Sequence, residues 1–189
     1  MYCASQKPNS EEPMKSFNIT KFVYALLIAV FAFSAFAAPS AQAAPKGNTI
    51  VDVVLAENAK SGEFSILIAA LQAADPAVIQ TLSGKGQFTV FAPTDAAFVA
   101  LLSELNLTAG ELLSDQALVT QVLLYHVARG NRDSAEVLAS SRIRTMNRGF
   151  LFQNGGVLTD ANGRTSNIVA VDIKASNGVI HVIDRVVLP

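Results

Sequence analysis

The side chains of this sequence best suited to proton transfer or metal binding are its two histidines, His126 and His181, and Tyr125, which directly precedes His126. A Tyr-His pair can donate or accept a proton. No partner base, nucleophile or second histidine at metal-ligand spacing accompanies it. Segment 160–163, DANG, resembles the start of a calcium loop, but the required glutamate at its twelfth position is replaced by Val171. The sequence therefore predicts no catalytic residue, no metal site and no cofactor.

Both histidines also have a structural interpretation. If residues 174–178 form a tight hairpin turn, His181 lies opposite Val171. It then shares a face with Val169, Val171, Ile173, Val179 and Ile183. On such a face we expect a buried, hydrogen-bonded histidine. His126 lies where a helix becomes a strand, so Tyr125 would fill the core and His126 would tie the helix end to a neighbouring loop. The alternative is that the pair contacts a partner.

A cluster of arginines is the second candidate site. Five of the eleven basic residues that follow position 43 are Arg129, Arg132, Arg142, Arg144 and Arg148. Strand alternation around Ile143 directs Arg142 and Arg144 away from the core. The cluster could meet an anionic polysaccharide, lipid head groups or the acidic surface of a protein. Alternatively, its charges only protect a sheet edge against aggregation.

The element that organises these residues is the segment 87–98, QFTVFAPTDAAF. Residues 88–92 are aromatic and β-branched and predict a short buried strand that stops at Pro93. Thr94 and Asp95 are good caps for a following helix. That helix carries apolar residues at 98, 101, 102 and 105, which is the spacing of one helix face. The segment is therefore predicted to be a strand, a corner and a packed helix.

The remaining pattern predicts helices first and strands afterwards. Helices are expected from Thr49, Phe64, Asp75, Thr108, Ser114 or Asp115, and Asp133, on the basis of caps and apolar spacing. Strands are expected at 142–145, 150–153, 157–159, 167–173, 179–183 and 186–188. Asn-Gly pairs at 154, 162 and 177 favour hairpin turns between them. This order of elements indicates an α+β domain.

Three motifs resemble the signatures of the fasciclin (FAS1) domain family. They are the segment 87–98, the pair Tyr125-His126 in LLYHVARG, and the segment 175–189, ASNGVIHVIDRVVLP. The resemblance implies a single FAS1 domain at 49–189, with helices packed on a wedge-shaped β-sandwich, that binds proteins or glycans at surfaces. In animal relatives the Tyr-His motif has been linked to integrin binding. The predicted contact residues are Tyr125, His126, Arg142, Arg144 and Arg148.

Residues 1–43 have the order of a secretory signal peptide. Lys15 and Lys21 precede an uncharged apolar run, and a small-residue site, AQA, follows it. Cleavage is expected after Ala43, with 44–48 as a linker, and Met14 is an alternative start. The apolar run is at the low limit for a membrane span, so we expect no stable span after cleavage. Cys3 precedes the signal, so the secreted chain would contain no disulfide.

Composition restricts the function further. The net charge is −1 at pH 7, and 15% of the 189 residues are charged, which argues against a general nucleic-acid binder. No hydrolase elbow or phosphate loop is present. We therefore expect an exported, non-enzymatic adhesion module, periplasmic or secreted, that binds a surface protein, a glycan or an envelope component. The alternative is an envelope protein that binds or converts a small molecule near His126. The sequence does not indicate the oligomeric state of the protein.

Overall fold

Helices form most of the first half of the described chain, which comprises residues 47–189 of a computed structural model. The predicted signal peptide, its cleavage site and residues 44–46 of the linker lie outside the described residues. The helices are α1 (Ile50–Ser61), α2 (Ser65–Ala73), α3 (Pro76–Leu82), α4 (Asp95–Leu105), α5 (Ala109–Ser114), α6 (Gln116–Tyr125) and α7 (Ser134–Ala139). Within this region no single helix has the length and apolarity to cross a membrane. Only α2 and α3 taken together, bent by 118° at their junction, meet that criterion.

Side-chain caps fix where these helices begin. Thr49, Asp75, Thr94, Thr108, Asp115 and Asp133 each accept a hydrogen bond from a backbone amide of the first helical turn. The predicted starts are confirmed at these six helices, because a cap is a local interaction that the sequence shows directly. Asp95 has a different role from the predicted one. Its carboxylate accepts from the amides of Ser65 and Ile66, so it caps α2 across the fold.

Seven strands form one continuous sheet. They are β1 (Phe88–Pro93), β2 (Val127–Arg129), β3 (Arg142–Arg144), β4 (Phe150–Asn154), β5 (Val157–Thr159), β6 (Thr165–Ala175) and β7 (Gly178–Ile183). Their order in the sheet is β2-β1-β7-β6-β5-β4-β3. The β1–β7 pair is parallel and all other neighbours are antiparallel. The long strand β6 pairs with β5 through its first residues and with β7 through the rest, which folds the sheet into two layers.

Two apolar cores lie on opposite faces of β1 and β7. Val90 and Ile180 face the helices, where they join Phe98 and Leu101 of α4. Alternate residues face the β3–β4–β5 layer in a second core, whose members include Phe91, Ile143, Leu151, Leu158 and Ile183. Every residue of β1 and β7 is therefore buried. The α+β prediction and the helix-on-sandwich prediction are confirmed.

Three strand predictions need correction. Residues 186–188 form no strand, because the amides of Val187 and Leu188 donate to the side chains of His126 and Asp160 instead of to a neighbouring strand. A strand was expected to follow His126 but was given no bounds, since β2 has only three residues and follows the helix without a turn residue. The expected facing of Val171 with His181 is also wrong. The β6–β7 ladder shifts register around Asp172, whose φ is 60°, and this leaves Val169 and Val171 exposed.

The Asn177-Gly178 pair connects the β6–β7 turn to α1, α3 and β1. The predicted turn exists, but its two turn residues are 176 and 177, because Ala175 pairs directly with Gly178. The buried Asn177 amide accepts from Ile50 N at 2.8 Å and donates to the carbonyls of Leu82 and Gly84. It therefore joins the start of α1 to the end of α3. Gly178 lies against β1 so closely that a Cβ atom would be 2.0 Å from the Phe88 carbonyl oxygen.

This close approach predicts that Gly178→Ala strongly destabilises the fold. The new methyl group must push β7 away from β1, so we expect a loss of about 3 kcal/mol or more in the free energy of unfolding. Gly110→Ala is the matched control, since Gly110 lies in α5 with open space around it, and it should stabilise the fold by up to about 1 kcal/mol. Urea unfolding followed by circular dichroism measures both. Equal stability of the two variants would contradict the structure.

Candidate functional site

Tyr125 is buried and connects α6 to the second sheet layer. Its hydroxyl donates to the Phe150 carbonyl at 2.7 Å and accepts from the Ala161 amide at 3.2 Å. The ring lies directly beneath Gly149, where a Cβ atom would come within 2.5 Å of the ring. Burial raises the pKa of Tyr125. The side chain is fully buried, so it lies in the core and not on the surface where the predicted contact would be made.

His126 is fixed by hydrogen bonds at both ring nitrogens. Nε2 accepts from the Val187 amide at 3.2 Å, which requires the proton to be on Nδ1, and Nδ1 donates to the Val122 carbonyl at 2.7 Å. The imidazole therefore ties the end of α6 to the C-terminal segment. Burial lowers the pKa of His126 to about 4, against the smaller raising effects of the Val122 carbonyl and Asp160. At neutral pH the ring is uncharged and 3% exposed.

An apolar pocket lies next to His126, between α2, α4, α5 and α6. It encloses about 70 Å³, and apart from His126 its lining residues are apolar, among them Leu101, Val119 and Leu188. This volume is below the roughly 300–1,000 Å³ typical of small-molecule sites. The pocket offers no imidazole nitrogen for proton transfer, because both nitrogens of His126 are engaged with the backbone.

The arginines surround a larger cavity where the two edge strands of the sheet meet. We call this place the seam: β2 and β3 approach there through an isolated bridge between Ala128 and Thr145. The Met146 amide donates to the Val127 carbonyl at 2.7 Å across it. The cavity has a volume of about 360 Å³ and is lined by Arg129, Arg132, Arg144, Thr145, Met146 and Arg148. The sheet thus brings together arginines that are up to 19 positions apart in the sequence.

No carboxylate within the described residues forms a salt bridge with any arginine of this cluster. The other two arginines of the described chain, Arg164 and Arg185, both pair with Glu104. Arg142 lies outside the cavity, and its guanidinium group sits over the ring of Phe150 at 5.2 Å from the ring centre. The cavity therefore concentrates positive charge that the described part of the protein does not neutralise.

The cavity walls are anchored by buried polar groups. In the loop after β2, the Arg132 amide donates to the Thr89 hydroxyl oxygen at 2.9 Å, and that hydroxyl donates to the Gly130 carbonyl. The His181 Nε2 donates to the Arg132 carbonyl at 3.0 Å, while its Nδ1 accepts from the Asp172 amide. The predicted structural role of His181 is thus seen in a specific form: it holds the backbone that carries Arg132.

The opposite wall is the turn 145–149. The Arg148 amide donates to the Thr145 carbonyl, and the Asn147 amide donates to the Leu124 carbonyl at the end of α6. Tyr125 supports this turn from below through its contact with Gly149. Arg148 has a φ of 66°, a backbone conformation that glycine adopts without strain and arginine does not.

Comparison with known proteins identifies the family. A model of the fasciclin domain matches residues 62–189. The chain belongs to the fasciclin (FAS1) domain family. Protein sll1483 of Synechocystis is 38% identical over 143 residues, which are 75% of this chain and 73% of that protein. The pig transforming growth factor-beta-induced protein ig-h3 is 34% identical over 146 residues, which are 77% of this chain and 20% of that protein.

A solved structure agrees with the FAS1 assignment. A FAS1 domain pair from the insect cell adhesion molecule Fasciclin I superimposes with a TM-score of 0.55 at 19% identity. The match covers 68% of this chain and 46% of the domain pair. At this identity the likeness concerns the fold alone, and it confirms the FAS1 fold that the three sequence motifs imply.

The FAS1 domain thus separates the predicted site residues into two groups. Tyr125 and His126 are internal, whereas Arg142, Arg144 and Arg148 are exposed. Sequence reasoning missed Thr89 and Asp172 as anchors, because nothing in their neighbours indicates the loops that they hold. Between residues 47 and 189, no group of three or more histidine, cysteine or acidic side chains is arranged to bind a metal ion.

The buried neutral His126 makes the stability of this FAS1 domain depend on pH. Below pH 6.5 the unfolded chain takes up a proton that the folded state does not accept until about pH 4. Stability is therefore complete above pH 6.5 and falls as the pH decreases towards 4, by about 3 kcal/mol from this residue. An NMR titration of the His126 ring should show no protonation above about pH 5.

His126→Gln tests the same prediction through unfolding. The variant loses hydrogen bonds and should be less stable at pH 7, but its loss of stability between pH 6.5 and 4 should be smaller than that of the unchanged protein. Carboxylates titrate identically in both proteins, so the difference between their pH profiles isolates His126. Parallel profiles would show that His126 is not buried in its neutral form.

Proposed function

We propose that this chain is an exported, non-enzymatic adhesion or interaction module that contacts an anionic surface through its arginine cluster. The observation that carries this proposal is the set of five arginines at the seam, none of which forms a salt bridge with a described carboxylate. The partner would be the acidic surface of a protein, an anionic glycan or an envelope component. Unpaired cations at a surface attract such partners and also raise the rate at which the partners associate with the protein.

The anchored walls of the cavity support a binding role over simple edge protection. Lysines or arginines that only protect a sheet edge need no fixed geometry. Here Arg132 and Arg148 extend from backbone segments held by hydrogen bonds on both sides of the seam. Because the backbone at these arginines is already held, its ordering costs no further conformational entropy when a ligand binds.

Tyr125 and His126 enter this proposal as supports. They hold the end of α6, and the turn that carries Arg148 is bonded to that end. The engagement of both imidazoles in backbone hydrogen bonds favours a non-enzymatic role over the small-molecule alternative. The solved relative is itself part of a cell adhesion molecule, which is in keeping with an interaction module.

Export is part of the proposal, and it rests on the signal-peptide pattern of residues 1–43. We expect N-terminal sequencing of the exported protein to begin at Ala44. A product that retains Met1 or Met14 would contradict cleavage after Ala43.

The charge hypothesis is tested with two variants that remove equal charge. Arg142→Ser/Arg144→Ser removes two cluster charges, and Lys85→Ser/Lys174→Ser removes two exposed charges outside the cavity. We expect the unchanged protein to bind an envelope extract or anionic beads more tightly at 50 than at 200 mM NaCl, because salt screens exposed charges. Binding by the arginine variant should weaken about thirtyfold, because two charge-assisted contacts are lost and each contributes on the order of 1 kcal/mol.

The lysine variant is the control, and its binding should change less than twofold or so, since nonspecific charge loss is the only difference. Equal weakening of both variants would mean that net charge alone governs the interaction. Binding that neither salt nor either variant alters would overturn the proposed role of the arginine cluster.

A further inference from the structure

We propose that the seam is a binding site for an acidic polysaccharide, whose carboxylate or sulfate groups enter the arginine cavity while a sugar ring stacks on Phe152. This inference rests on the function proposed above and specifies its partner. It combines the cavity with a second feature next to it, the exposed outer face of strands β3 and β4.

That outer face carries two arginines on β3 opposite two phenylalanines on β4. Arg142 pairs across the strands with Phe152, and Arg144 pairs with Phe150. Cross-strand partners have Cβ atoms about 5 Å apart and point to the same side of the sheet. Phe150 is covered by the Arg142 guanidinium group, whereas Phe152 remains 50% exposed. Phe152 is thus a free aromatic surface directly beside a cation.

Arg144 connects this face to the cavity. It lines the cavity with Arg129, Arg132 and Arg148 and lies two positions from Arg142 on the same face of β3. Residues two apart on a strand are separated by roughly 7 Å. The site is therefore an extended row: the four arginines that line the cavity, then Arg142 on Phe150, then the exposed Phe152.

The ligand that fits such a row carries apolar ring faces and anionic groups in repetition. Guanidinium groups bind carboxylate and sulfate groups through paired hydrogen bonds, and the cavity, at about 360 Å³, is in the size range of sites for small organic ligands. Aromatic side chains contact the apolar face of a ring. Acidic peptides and the serine and glycerol head groups of anionic lipids supply the charge but no rigid ring for Phe152, which is why an acidic polysaccharide is favoured.

Substitutions of Arg148 distinguish a binding role of this residue from a purely structural one. Its positive φ is strained for arginine, so a purely structural position would be better filled by glycine. Arg148→Gly should therefore raise the midpoint of thermal unfolding while it weakens binding of the polysaccharide. Arg148→Lys keeps a charge and the backbone strain, so its unfolding midpoint should not rise.

Titration calorimetry of the full exported protein with size-defined dextran sulfate and oligogalacturonate measures the binding. We expect Arg148→Gly to weaken binding about tenfold and Arg148→Lys to weaken it less. Phe152→Ser should weaken binding about fivefold through loss of ring stacking. Val169→Ser is the control, because Val169 is also exposed on the sheet, at 57%, and its binding should not change.

Two further ligands separate this inference from the proposed function. Polyglutamate and vesicles containing anionic lipid offer the same charge without sugar rings. If they bind as tightly as the polysaccharides, with the same loss in Arg148→Gly and no effect of Phe152→Ser, the polysaccharide inference is overturned and the anionic interaction module stands. If Arg148→Gly alters binding of none of these ligands, the polysaccharide inference is overturned, and if Arg142→Ser/Arg144→Ser also alters none, the proposed function is overturned with it.

Discussion

The arrangement of this FAS1 domain depends on the hydrogen bonds made by the imidazole of His126. One nitrogen is bonded to the last turn of its own helix and the other to the backbone of Val187. An imidazole has one donor nitrogen and one acceptor nitrogen only in its neutral form, so the ring can join these two segments only while it is uncharged. The C-terminal segment is therefore held by side chains instead of by a strand ladder.

The neighbouring Tyr125 extends this connection into the second sheet layer. Its hydroxyl satisfies a carbonyl of β4 and an amide of the turn before β6. With both polar ends of the pair satisfied, the end of α6 is a fixed platform on which the turn carrying Arg148 rests. The buried pair and the exposed arginines are thus structurally connected, because internal hydrogen bonds determine the position of the surface charge.

Local signals in the sequence were sufficient for much of the fold. The caps at Thr49 and Thr108 and the strand-corner-helix around Thr94 depend on residues within one helical turn, and all three were predicted. Errors arose where distant groups decide the outcome. The amide of Val187 finds an imidazole, so no strand forms, and the ladder shift at Asp172 reverses the faces of its neighbours. Likewise, the arginines were recognised as a cluster, but their cavity exists only because β2 and β3 meet, which periodicity cannot indicate.

The parallel pairing of β1 with β7 has a consequence for how the chain acquires its structure. The two strands lie side by side in the middle of the sheet, yet their paired residues are about 90 positions apart in sequence. Closing so long a loop is entropically costly and slows folding. During synthesis from the N-terminus, the helices can form early, but the central sheet cannot form until β7 (Gly178–Ile183) has been made. Until then β1 lacks one of its two neighbours in the sheet, so its apolar side chains are exposed to association with other chains.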